Sequence, residues 1–62
     1  MNTEKCFKHV LNYFEGDYEK TLTWFYVNNP GLGGVRPIHM VMTGRAKKLL
    51  QFIENALDGN QP

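Results

Sequence analysis

The sequence predicts an all-α domain, a small bundle of four helices with a Gly/Pro/Asn-rich loop between the second and third. Three observations carry this. Apolar residues recur at spacings of three and four in the outer thirds of the chain, which is the period of one helix face. No segment alternates apolar and polar residues over the length of a strand. Residues that start and stop helices (Asp17, Gly16, Pro37, Thr43, Gly59) fall between the apolar runs.

The first helix is expected to start at Thr3 as N-cap, with Cys6, Phe7, Val10, Leu11 and Phe14 on one stripe and Gly16 at C′. Asp17 caps a second helix and Glu19 sits favourably in its first turn. In it Tyr18, Leu22, Phe25 and Tyr26 share a face, with Trp24 and Val27 pointing roughly the other way. Asn, Pro and Gly then supply turn geometry from Asn28 to Arg36. Leu32 is apolar among turn-formers, so it is expected to anchor the loop on the core, with Gly33 and Gly34 permitting positive φ or close approach. Pro37 has the fixed φ and missing donor suited to a first helical position and opens a short helix to about Met42. Thr43 is expected to cap the last helix, where Ala46, Leu49, Leu50, Ile53, Ala56 and Leu57 form a stripe that ends at Gly59.

A chain of 62 residues makes one domain, expected over 1–59 with a short flexible tail at 60–62. At that size a single core leaves about 3–5 kcal/mol of net stability. Self-association, most simply as a homodimer, would cover apolar surface left over in so small a chain that is 42% hydrophobic. Seven basic and six acidic residues give a net charge of +1, which provides no strong pull toward nucleic acid or anionic lipid. A single cysteine excludes an intrachain disulfide and suits a reducing compartment. With no signal-like apolar segment and no run long enough to span a bilayer, the expectation is a cytoplasmic protein without membrane association.

The stretch from Trp24 to Ile38 resembles the toxin-binding domain found at the C-terminus of Xre/MbcA/ParS-type antitoxins. That family has a Trp-Leu pair, a Pro-Asn, Leu-Gly-Gly, two variable residues and a Pro before a short apolar helix. Here Trp24-Phe25 stand for the pair, Asn29 for the loop Asn, and Leu32-Gly33-Gly34 and Pro37-Ile38 match at the same spacing. Phe14-Glu15-Gly16-Asp17 and Thr43-Gly44 are similar to its two helix boundaries, so the resemblance covers nearly the whole chain. Asn28 departs from it, standing where Pro is usual. So does the expected lack of room for a helix-turn-helix domain, and the brevity of the tail after Gly59 puts any C-terminal plug in doubt. The resemblance implies a protein-binding module that neutralises a RES-type toxin, one that consumes NAD or transfers its ADP-ribose part, by covering the active-site entrance. The alternative is a phage- or mobile-element-encoded regulator that binds another host protein or nucleic acid.

The residues themselves offer little catalytic chemistry, and no enzymatic role, cofactor or metal is expected. Glu15 and Asp17 flank a glycine at a helix boundary, where a cap outweighs an acid/base pair. Cys6, His9 and His39 are too few for a closed zinc site, and Cys6 lacks an identifiable base. Gly31, Gly33 and Gly34 lack the Lys-Ser/Thr of a phosphate-binding loop. Arg45, Lys47 and Lys48 form a basic cluster that reads first as a solvated helix face and second as a nucleic-acid contact. The aromatic residues are a better lead. One Trp, three Tyr and four Phe crowd a small core, and Trp24 reads either as wrapped by the fold or as an interface anchor. The candidate partner surface comprises Trp24, Asn28, Asn29, Arg36 and Asp58, on a scaffold set by Leu32, Gly33, Gly34 and Pro37.

Overall fold

The computed structural model describes residues 1–57 and shows the all-α bundle. Its helices are α1 (Asn2–Tyr13), α2 (Tyr18–Tyr26), α3 (Pro37–Met42) and α4 (Ala46–Ala56), with a 3₁₀ turn at Pro30–Leu32 inside the α2–α3 loop. The only strand-like pairing among the described residues is an isolated antiparallel bridge between Asn29 and Val35. No helix among them is long and apolar enough to cross a membrane. The expected helix stop at Gly59, the tail at 60–62 and the candidate residue Asp58 lie outside the described residues.

The core is a seam between the two longest helices, with α2 and α3 laid over it. Cys6 and Val10 of α1, one turn apart, pack with Leu49 and Ile53 of α4, which are likewise four apart. Phe25 and Met40 complete the cluster. The α1 stripe matches its sequence periodicity and so does that of α4 except at Ala56, which is exposed, and burial of such apolar surface at about 25 cal/mol per Å² drives the assembly.

The second helix differs from expectation. Of its proposed face only Phe25 is buried, while Tyr18 and Tyr26 remain largely in water. The residue that turns inward beside Phe25 is Thr21, fully buried, and Trp24 packs edge-on against Phe25 at 5.1 Å between ring centroids. Thr21 tolerates this position because its hydroxyl donates to the Asp17 carbonyl at 2.8 Å, so no polar group is left unsatisfied. Periodicity rates a threonine as polar. One internal hydrogen bond makes it a core residue.

The helix ends follow local chemistry, with two corrections. Asp17 does cap α2, its Oδ1 accepting from the Lys20 amide at 3.0 Å. Thr3, in contrast, lies inside α1, which begins at Asn2 after Met1 without a side-chain cap. Thr43 closes α3 rather than opening α4, donating from its hydroxyl to the His39 carbonyl at 2.8 Å. The reason is Gly44. At φ 78° it reverses the chain, with Gly44 N–H donating to Val41 O and Arg45 N–H donating to Met40 O, so Thr43 belongs to the preceding turn. The α4 helix then starts after Arg45, again without a side-chain cap.

The same reversal ends α1, shifted by one residue from the expected position. Glu15 occupies the C′ site at φ 56°, Gly16 follows it left-handed at φ 84°, and the Gly16 amide donates to Leu11 O at 2.8 Å. A side chain in that region costs about 1–2 kcal/mol. Glu15→Gly is therefore expected to stabilise the domain by about 0.5–1 kcal/mol after the added freedom of the unfolded chain is subtracted. For a domain this small the melting midpoint rises by about 2–8 °C. A midpoint that stays level or falls shows that the site carries no strain.

Candidate functional site

The α2–α3 loop is built around Asn29. Its amide donates to the Val35 carbonyl at 3.1 Å, and its carbonyl accepts from the amides of Leu32 and Gly34, both at 2.9 Å. Its side-chain Oδ1 accepts from the Gly31 amide at 2.9 Å and so caps the 3₁₀ turn. Leu32 and Val35 pack half-buried against the core, and a Cβ on Gly31 would stand only 2.9 Å from Cζ of Phe52 on α4. The loop is thus pressed onto α4 along one side. Gly33 and Gly34 turn the chain at φ 72° and 84°, and Pro37, buried, opens α3 at its first position. Leu32, expected to be buried, is only half-buried, while Gly33, Gly34 and Pro37 shape the turn and the start of α3. The approach of Gly31 to Phe52 depends on a ring 21 positions away, and no local pattern announces it.

Along the other side of this loop runs an open groove of about 540 Å³. Phe14 after the end of α1, Trp24 of α2, Val27 just past it, and Pro30 give it apolar walls, while Glu19, Lys20 and Asn28 supply polar groups. Trp24 is half-buried, Val27 is 54% exposed, and Asn28 is exposed with its side chain engaged by no other described residue. The groove unites three of the five candidate partner residues, Trp24, Asn28 and Asn29. Of these, Asn29 has its oxygen committed to Gly31. Arg36, exposed at the N-cap of α3, does not line the groove, and Asp58 lies outside the described residues. Phe14, Glu19, Lys20, Thr23, Val27 and Pro30 line the groove without being among the candidates read from the sequence. The signal for Lys20 was available, since Lys20 and Trp24 lie four apart on one edge of α2.

Cys6 is fully buried and its thiol donates to the Ala46 carbonyl at 3.5 Å. Burial, with the Glu54 carboxylate adding to it, pushes the thiol above the ordinary value of 9.0. The folded state therefore holds a proton that the unfolded state releases first. Cys6 contributes stability that is complete below pH 9.0, the unfolded value, and is lost as the pH rises toward the higher folded value. Alkylation of native protein at pH 8 is expected to proceed only through unfolding; a rate equal to that of a free thiol in denaturant is the contrary result. His9 Nε2 lies 3.9 Å from Glu54 Oε2, and no group of three His, Cys, Asp or Glu among the described residues is placed to hold a metal ion. Arg45, Lys47 and Lys48 are all exposed around the start of α4, with Arg45 Nε donating to Thr43 Oγ1 at 3.4 Å.

A comparison with protein-family models, with curated proteins and with solved structures finds no match to this chain.

Proposed function

We propose that this chain is a protein-binding module of the antitoxin kind, which takes part of a RES-type toxin into the groove between Phe14, Trp24 and Pro30. The observation that carries the reading is the groove itself. An amphipathic Trp on a helix, beside exposed apolar surface at Val27 and an exposed Asn28 amide, combines a hot-spot anchor with groups that orient a partner. The Trp24 to Ile38 resemblance supplies the partner class. In this reading the chain acts in the cytoplasm, has no chemistry of its own, and protects NAD by blocking the toxin's entrance.

The test is co-expression with a RES-domain toxin, following cellular NAD and co-purification of the pair. Restored NAD with a stable complex supports the reading. A toxin that remains active and unbound at equal expression defeats it.

A second reading rests on the exposed Arg45, Lys47 and Lys48, which together present a small basic surface for nucleic acid. If all three neutralise phosphates on duplex DNA, log affinity falls against log salt with a slope of about −2.7. The same groove would serve the phage- or mobile-element variant of the first reading, with a different host protein as occupant.

A further inference from the structure

We infer that α2 pairs antiparallel with α2 of a second copy of this chain, through the stripe Tyr18-Leu22-Tyr26 centred on Leu22, to form a weak twofold dimer. The three residues lie at intervals of four on one face of the helix and are 58%, 37% and 56% exposed. Their order, Tyr-x₃-Leu-x₃-Tyr, is the same read from either end. A twofold axis through Leu22 therefore places each Leu22 against its copy and each Tyr18 against Tyr26 of the second copy. Self-complementarity of this kind is what an isologous interface requires. A partner of another kind imposes no such symmetry.

Charge and order favour the same occupant. The stripe carries no formal charge, so the axis brings no like charges together. Tyr18 is also held in advance. Its ring meets Phe7 edge-on at 5.8 Å, and Phe7 in turn stacks on buried Phe25 at 6.0 Å, which lowers the ordering cost of association. Phe7, Ile38 and Val41 border a shallow depression of about 120 Å³ beside Leu22 and Tyr26 and extend the apolar surface.

The available area determines the strength. A tyrosine side chain offers about 150–250 Å², and Tyr18 and Tyr26 are each more than half exposed. With Leu22 and its neighbours this comes to on the order of 400 Å² per copy. That is short of the roughly 800 Å² per partner of a stable complex, so the dimer belongs to the weak, concentration-dependent class. At 100° per residue the stripe and the Trp24 groove lie on opposite shoulders of α2, either side of buried Thr21 and Phe25. Dimerisation leaves the groove open, so this inference stands apart from the toxin reading.

Sedimentation equilibrium from about 10 µM to about 1 mM is expected to show a mass rising from the 7.2 kDa monomer toward twice that value. Leu22→Glu and Leu22→Lys, each at an exposed position, should weaken association at least tenfold while the helical signal stays unchanged. Because each Leu22 meets its own copy, an equimolar mixture of the two variants should associate again. A monomer throughout the range overturns the inference. So does association that survives Leu22→Glu, association beyond a dimer, or a mixture that fails to recover, since each requires another occupant, face or register.

Discussion

Ile53→Ala is expected to remove most of the stability of the domain. Ile53 is fully buried at the α1–α4 seam, and truncating such a residue costs about 2–5 kcal/mol where the surroundings cannot close over the cavity. The whole domain has only about 3–5 kcal/mol to lose. A loss of about 3 kcal/mol lowers the melting midpoint by about 12–24 °C. Met42→Ala is the control at 73% exposure, and it should fall within about 0.5 kcal/mol of the parent. Urea denaturation of the pair decides the matter. If Ile53→Ala costs under about 1 kcal/mol, the seam is not what holds the fold together.

The second large effect concerns partner capture. Val27→Glu places a carboxylate on the apolar wall of the groove, at a residue already 54% exposed, so the melting transition should hardly move. Capture of a RES-type toxin is expected to weaken at least tenfold, about 1.4 kcal/mol, by titration calorimetry, with Asn28→Ala acting in the same direction. Arg36→Ala, outside the groove, should leave affinity within about twofold, against what its position in the sequence suggests. Asn29→Ala is a poor probe. It deletes the cap on Gly31 at a cost of about 1 kcal/mol and so confounds folding with binding. If Val27→Glu binds as well as the parent while Arg36→Ala does not, the partner sits at the start of α3 and the groove is not the site.

The candidate surface was partly legible in the sequence for a physical reason. Trp24, Asn28 and Asn29 are near neighbours in the chain, and a helix followed by a turn keeps them together whatever the rest of the fold does. Phe14 joins them only because the bundle brings the end of α1 beside α2. Asn29 illustrates the converse. Its residue type suits recognition and turn-building equally, and only the 2.9 Å contact with the Gly31 amide shows its oxygen in the second role.

By itself the sequence determined the number of helices, the Asp17 cap, the turn at Leu32-Gly33-Gly34 and the extent of α3 from Pro37 to Met42. These depend on energies settled within about four residues: a side-chain oxygen on an amide, a ring that sets φ, a glycine free to reverse the chain. Tertiary structure decided which face of α2 is inside. Both shoulders of that helix are apolar, so periodicity alone could not choose between the Tyr18-Leu22-Tyr26 stripe and the side bearing Thr21. The choice fell to the shape left over when α1 closes on α4, a space that fits Thr21 and Phe25 and leaves the two tyrosines in water. The shift of the α1 stop onto Glu15 is by contrast a local matter, a turn closed by the Glu15 amide on Asn12 O and the Gly16 amide on Leu11 O.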